Sequence, residues 1–150
     1  MPSPALLIVE DSAEDAALIT AALRGAVPPE QITVCSTGEA ALDFLHLRGE
    51  HAGRPAYELP ALVLLDLGLP GVNGFEVLRA LRASPRTRLL PVIVFSASVE
   101  QADVRRAMQM GASSYIRKSL DAVRLTENLE LLARYWLGLN VPPPVPNHKS

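Results

Sequence analysis

Five side chains in this sequence could do chemistry together: Glu10, Asp11, Asp66, Ser96 and Lys118. They stand where expected strands end, three of them apolar runs and the last a short mixed one. Leu6-Leu7-Ile8-Val9 runs into Glu10-Asp11, Leu62-Val63-Leu64-Leu65 into Asp66, Val92-Ile93-Val94-Phe95 into Ser96, and Tyr115-Ile116-Arg117 into Lys118. A strand covered on both faces reads as a near-continuous apolar run. In open α/β sheets, ligands sit outside the carboxyl ends of such strands. If these ends share one crevice, three carboxylates converge there. At ~4 Å and an effective dielectric near 20, each like-charge pair costs about 4 kcal/mol. Lys118 supplies one counter-charge, and a hard divalent cation supplies more. Mg²⁺ suits one or two carboxylates together with waters and phosphate oxygens. A backbone carbonyl near Gly68 could add a ligand, since glycine lets the chain approach closely.

Cation, carboxylate, hydroxyl and ammonium are the parts of a phosphoryl-transfer site, where catalysis is mainly positioning and charge neutralisation. Asp66 is the candidate nucleophile, because an aspartate can form an aspartyl-phosphate. Mg²⁺ at Asp11 and Asp66 would face the phosphoryl oxygens. Lys118 would hold another oxygen as a point charge, and Ser96 would donate a hydrogen bond to a third. Each residue alone has a plainer reading. A strand-end aspartate is commonly a cap or turn former, a lysine there a solvated charge, and Ser96 the cap of the next helix. It is the coincidence at matching strand ends that favours a site.

The elements that must position these residues alternate. Strands are expected at 5–9, 31–35, 62–65, 90–95 and 114–117, the second and fifth being more polar, as edges should be. Helices are expected from the Ser12 cap to Leu23, over 39–47, 75–83 and 100–110, and from the Asp121 cap through Trp136. Asp15, three residues after Ser12, completes an acidic capping pattern. In the fourth helix Val104, Ala107, Met108 and Gly111 share one face. Alternating strands and helices imply a parallel sheet with right-handed crossovers. The order 2-1-3-4-5 centres the apolar strands and puts the switch point between the first and third, where Glu10, Asp11 and Asp66 end. The expected fold is therefore a flavodoxin-like doubly wound α/β sheet of five strands and five helices.

Two stretches fall outside this rhythm. Arg48 to Pro60 is a loop longer than the usual helix-to-strand connection. A tolerated surface insertion is favoured over a partner-specific loop, since loop length costs little. Val141-Pro142-Pro143-Pro144-Val145-Pro146 can be neither helix nor central strand. A loose terminus is favoured over a Pro-rich binding ligand. The division expected is a domain over 1–137 and a tail over 138–150, with no output domain.

Composition narrows the class. A net charge of −2 gives no general attraction to nucleic acid or anionic membrane. The longest apolar runs are about five residues, far below the ~20 that span a bilayer. The start of the chain shows no signal-peptide pattern. Cys35 is the sole cysteine, so an intrachain disulfide is ruled out. A cytoplasmic protein is expected, with neither nucleic acid nor membrane as partner.

The pieces Leu6-Leu7-Ile8-Val9-Glu10-Asp11, Leu64-Leu65-Asp66-Leu67-Gly68-Leu69-Pro70-Gly71-Val72-Asn73-Gly74, Val94-Phe95-Ser96-Ala97 and Tyr115-Ile116-Arg117-Lys118 resemble a response-regulator receiver domain of two-component signalling. The resemblance covers about residues 5 to 137. It implies that Asp66 is the phosphoacceptor, taking a phosphoryl group from a sensor histidine kinase. It implies that Asp11 is a direct Mg²⁺ ligand, that Glu10 acts largely through water, and that Gly68 offers its carbonyl. Ser96 would be the switch hydroxyl, Tyr115 the aromatic that changes rotamer with it, and Lys118 the phosphate-holding lysine. Read by itself, Tyr115 is an amphipathic edge-strand residue.

Two departures stand out. The usual Lys-Pro pair with a cis bond is Lys118-Ser119 here, and a cis bond without proline costs ~2.5–4 kcal/mol. Either that cost is borne or the bond is trans and the next loop is rearranged. The lengthened Arg48–Pro60 loop is similar to that of stand-alone regulators that partner bacterial phytochrome kinases. In the last helix, Leu125, Leu129, Leu132 and Trp136 make one stripe, and Leu131, Tyr135 and Leu139 a second. The second is either a homodimer or partner surface, together with the fourth-helix and fifth-strand face, or part of a wide core stripe. The rival activity is an aspartyl-phosphate-type phosphatase, but its second acid is missing because Gly68 stands two residues after Asp66. A small GTPase is excluded by the lack of a Gly-x-x-x-x-Gly-Lys-Ser/Thr loop. A pseudo-receiver that never takes phosphate is disfavoured by the intact Asp11, Asp66, Ser96 and Lys118. The expectation is a signalling protein, not an enzyme.

Overall fold

Five parallel strands, Leu6–Val9 (β1), Ile32–Cys35 (β2), Leu62–Leu65 (β3), Val92–Ser96 (β4) and Ser114–Arg117 (β5), pair in the order β2-β1-β3-β4-β5. They come from a computed structural model that describes residues 5–144. Between them run helices Ala13–Leu23 (α1), Gly38–Leu45 (α2), Gly74–Ala83 (α3), Gln101–Gln109 (α4) and Ala122–Ala133 (α5). The doubly wound order expected from the apolar runs is the one observed. Every residue of β1, β3 and β4 is buried, whereas β2 and β5 at the edges are only partly covered. Alternation along the strands divides the core. Leu6, Ile8, Leu62, Leu64, Ile93 and Phe95 pack with Ile19 and Leu23 of α1 and Leu129 and Leu132 of α5. On the other face Leu7, Val9, Val63, Leu65, Val92 and Val94 pack with residues of α2, α3 and α4.

Several boundaries differ from expectation. Pro29–Gln31 wind into a single 3₁₀ turn, so β2 starts at Ile32 and not Gln31. The α-helical part of the last helix stops at Ala133, and Arg134–Leu139 continue it as a π-helical turn. Of the expected α4 face, Ala107 alone is fully buried, and Met108 is 48% exposed. The reason is position: α4 lies beside the edge strand β5 and covers one narrow strip. On α5, Leu129 and Leu132 are buried with Leu125 and Trp136 packed against them, while Leu131, Tyr135 and Leu139 are exposed. The second stripe is therefore solvent-facing rather than part of a wide core face. No helix among the described residues is long and apolar enough to cross a membrane. Residues 141–144 of the Pro-rich tail carry neither helix nor strand. Val145, Pro146 and residues 1–4 lie outside the described residues.

The Arg48–Pro60 loop is stitched to the domain. Gly49–His51 form a 3₁₀ turn. The Arg54 guanidinium stacks 3.8 Å over the Phe44 ring and donates to the carbonyls of Phe44 and Glu58. Arg86, from beyond α3, donates to the carbonyls of Leu45, Ala56 and Glu58. Arg86→Ala leaves the Leu45 and Ala56 carbonyls without this donor, the Glu58 carbonyl keeping Arg54, and it is expected to lower stability by about 1–2 kcal/mol. Faster chymotryptic cleavage at the exposed Tyr57 is the measurement that checks the local part of that loss. An unchanged cleavage rate would mean the loop is held by other contacts.

Candidate functional site

Register brings the strand ends together. Val9 pairs with Leu65 and Leu65 with Val94, so Glu10, Asp66 and Ser96 emerge at one pole of the sheet. The Asp66 N–H donates to the Val9 carbonyl at 3.1 Å, which fixes the two acidic segments side by side. Ser12 caps α1, its hydroxyl accepting from the Asp15 N–H at 3.1 Å. One ligand oxygen from each of Glu10, Asp11 and Asp66 lies within 4.8 Å of the others. Glu10 is buried, Asp66 half-buried and Asp11 exposed, so the cluster opens to solvent on the Asp11 side.

Lys118 is the cation in contact with this cluster. Its ammonium lies 2.5 Å from Glu10 Oε1, 3.4 Å from Asp15 Oδ2 and 3.7 Å from Asp66 Oδ2. Burial pulls the Lys118 ammonium down, but the Glu10 hydrogen bond and the charges of Asp66, Glu10 and Asp15 outweigh it and hold it above the ordinary lysine range. Burial raises the Glu10 carboxyl, and the Asp66 charge adds to that, so it stays above the ordinary range despite Lys118 and the Ser12 N–H. A single ammonium shared among several carboxylates leaves an excess of negative charge.

The peptide bond after Lys118 is trans, as no cis bond occurs among the described residues. The Lys118 N–H donates to the Ser96 carbonyl at 2.8 Å. Sheet pairing thus continues past Arg117 and places Lys118 without a proline. In the loop that follows, Ser119 Oγ accepts from the Asp121 N–H and Asp121 caps α5. Ser96 does not cap α4; its hydroxyl accepts from the Ser98 N–H at 3.2 Å. The Tyr115 hydroxyl reaches the same loop and donates to the Ser98 carbonyl at 2.8 Å.

A Cβ on Gly68 would meet nothing closer than Asp66 Oδ1 at 4.0 Å, whereas at Gly74 a Cβ would lie 2.4 Å from the Asp66 carbonyl oxygen. The Asp15 side chain differs from expectation. It pairs with Lys118, while the Ser12 N–H is taken by Glu10 Oε2. The sequence did contain that signal, because a first-turn residue of α1 necessarily starts beside the end of β1. Ser98 and Asp103 were missed, and no spacing rule marks them.

The description "response regulator receiver domain" fits residues 6–130 as a family match. The chain belongs to the receiver family. It is 41% identical over 138 residues to the probable methanogenesis regulatory protein FilR2 of Methanothrix harundinacea, covering 92% of this chain and 86% of that protein. It is 31% identical over 136 residues to the response regulator Rcp1 of Synechocystis, covering 91% and 90%. The Mn²⁺-bound Rcp1 structure superposes with a TM-score of 0.84 at 30% identity, over 95% of this chain and 99% of that one. The phosphorylated cyanobacterial phytochrome response regulator RcpA gives 0.86 at 30% identity, again over 95% and 99%. This receiver is thus a two-component signalling protein close to the phytochrome response regulators in sequence and fold.

The donor set of this receiver fits a divalent metal. Glu10, Asp11 and Asp66 offer oxygen only, which selects a hard cation. Their uncompensated charge is what such a cation would neutralise.

Proposed function

We propose that this receiver takes a phosphoryl group on Asp66 from a histidine kinase of the phytochrome type, with Mg²⁺ as the metal. The observation that carries this reading is the pairing of three clustered carboxylates with Lys118 at 3.7 Å from Asp66. In the reaction, an Asp66 carboxylate oxygen attacks phosphorus, the phosphorus–nitrogen bond to the kinase histidine breaks, and the imidazole leaves with the electron pair. Asp11, Asp66 and the Gly68 carbonyl would hold the metal, with Glu10 acting through water. When bound, Mg²⁺ supplies neutralisation of the phosphoryl charge. Lys118 holds one phosphoryl oxygen and Ser96 donates to another. The protein signals through contacts and is not an enzyme acting on a separate substrate. The domain over 1–137 carries the phosphoryl chemistry, and the tail over 138–150 contributes no residue to it.

A docking face for the kinase lies beside the site. Leu18, Ile19, Phe95, Ala97, Leu120 and Leu125 line an apolar groove of about 340 Å³ with Asp15 and Lys118 on its wall. Leu18 and Leu120 are exposed, and exposed apolar patches commonly mark protein contacts. The test is a comparison of phosphodonors. Leu18→Asp and Leu120→Asp are expected to raise the KM for the kinase by about tenfold while leaving uptake from acetyl phosphate unchanged. Equal losses with both donors would place the effect on the site itself and overturn the docking face. A panel of kinases ranked by transfer rate tests the phytochrome assignment, which fails if a light-independent kinase is fastest.

Leu131, Tyr135 and Leu139 on the last helix, with the α4–β5 face, support a homodimer of this receiver. Light scattering with Mg²⁺ and beryllofluoride, a phosphoryl mimic, is expected to give twice the monomer mass. Leu131→Asp is expected to return it to the monomer, and a monomeric wild type at high concentration refutes the dimer.

A further inference from the structure

Ser98 engages every polar atom it has. Its N–H donates to Ser96 Oγ at 3.2 Å, and its carbonyl accepts from the Tyr115 hydroxyl at 2.8 Å. Its own hydroxyl donates to Asp103 Oδ2 at 2.7 Å and accepts from the Glu100 N–H at 3.3 Å. One residue therefore joins the end of β4, the aromatic of β5 and the first turn of α4.

That junction matters because α4 is lightly anchored. Ala107 is its sole fully buried residue, against three or more on each of the other helices. Its N-cap, Glu100, makes no side-chain capping bond. The capping work is done from two residues upstream. Ser98 Oγ takes the Glu100 N–H, and Asp103, the third residue of the helix, reaches back to Ser98. The arrangement is a capping box shifted off the helix end. Elsewhere α4 is held by Arg106 over the Phe75 ring at 4.1 Å, and the turn after it by Arg82 Nε donating to the Gly111 carbonyl at 2.9 Å.

We propose that Ser98, held by Asp103, is the positioning residue that aims the Ser96 hydroxyl and carries its displacement to α4. The inference rests on the reading of Asp66 as phosphoacceptor. A hydroxyl has one proton to give. With the Ser98 N–H on its oxygen, the Ser96 proton stays free for a phosphoryl oxygen. When Ser96 turns to that oxygen, the Ser98 N–H follows it or loses its acceptor. Because Ser98 is also tied to Asp103 and Tyr115, following it moves the first turn of α4 and the Tyr115 hydroxyl together. The charge change is local, and the two-state element it biases is the β4–α4 junction.

Hydrogen exchange of the Val104 and Arg105 amides tests this, in wild type, Ser98→Ala, Asp103→Asn and the double variant, each with and without Mg²⁺ and beryllofluoride. Fluorine NMR reports in each case whether beryllofluoride is bound. In the ligand-free protein each single variant is expected to exchange about fivefold faster, and the double variant no faster than either single one. On beryllofluoride binding, wild-type exchange is expected to change severalfold, while the variants bind the mimic and show no further response. Ser98→Thr, which keeps the hydroxyl, restores the response. Additive single effects, or variants whose α4 responds like wild type, overturn the inference. A wild type that fails to bind beryllofluoride overturns the phosphoacceptor reading and the inference with it.

Discussion

Asp66→Asn is expected to cut phosphoryl uptake from acetyl phosphate or a kinase by about 100-fold or more. The amide keeps the shape of the carboxylate but lacks its anionic oxygen, so the acyl phosphate does not form. It also removes one of the three clustered carboxylates that could hold a metal, and metal affinity is expected to fall with it. The fold should not suffer. Asp66 is one of the groups that raise the Glu10 carboxyl, so removing its charge relieves repulsion. Unfolding midpoints equal to or above wild type, together with loss of the phosphoryl mass increment by intact-mass spectrometry, are the expected pair of results. Labelling of the variant at the wild-type rate would sink the assignment.

Gly74→Ala is expected to be strongly destabilising. The added Cβ would lie 2.4 Å from the Asp66 carbonyl oxygen and 2.6 Å from Leu67 Cα. Both are backbone atoms and cannot rotate away. The Gly74 N–H also donates to the Leu67 carbonyl at 3.2 Å, so the helix start is tied to the segment it would collide with. Alanine gains about 0.5–1 kcal/mol of helix preference over glycine. Overpacking against backbone outweighs that, and a net loss of about 2–3 kcal/mol is expected in urea denaturation. Metal affinity should fall as well, because the shift is transmitted to Asp66 itself. Gly68→Ala is the control: its Cβ would meet nothing nearer than 4.0 Å, and a change within about 0.5 kcal/mol is expected. Equal losses at both glycines would contradict the steric account.

The contrast between these glycines shows where the sequence was legible. The strand order and the acidic pole could be read because β1, β3 and β4 are unbroken apolar runs ending in polar residues. Lys118 could be read only as the end of a short mixed strand, and the sheet positions it without the customary proline. A close approach between α3 and β3 leaves no trace in local composition, so the tight packing at Gly74 could not be read from the sequence. The α4 face was overread because Met108 is apolar and correctly spaced, but a helix beside an edge strand has little sheet to cover. Ser98 and Asp103 were invisible because their roles come from a loop conformation, and a serine in a loop has many equivalent uses. Asp15 was read as a capping acid, because helix-start rules describe the backbone and not the direction of a side chain.

The stitched loop between α2 and β3 has a bearing on how this domain can be altered. In a parallel sheet the chain enters every strand at one pole and leaves it at the other. Asp66 follows β3, and the 48–60 loop precedes it, so the two lie at opposite poles. Arg54 and Arg86 fasten both shoulders of that loop, while a Cβ on Gly53 at its tip would meet nothing within 4 Å. The tip is therefore a natural grafting point. A fluorescent reporter or an affinity tag inserted at Gly53 would ride on a clamped base and leave the chemistry at the far end of the sheet undisturbed.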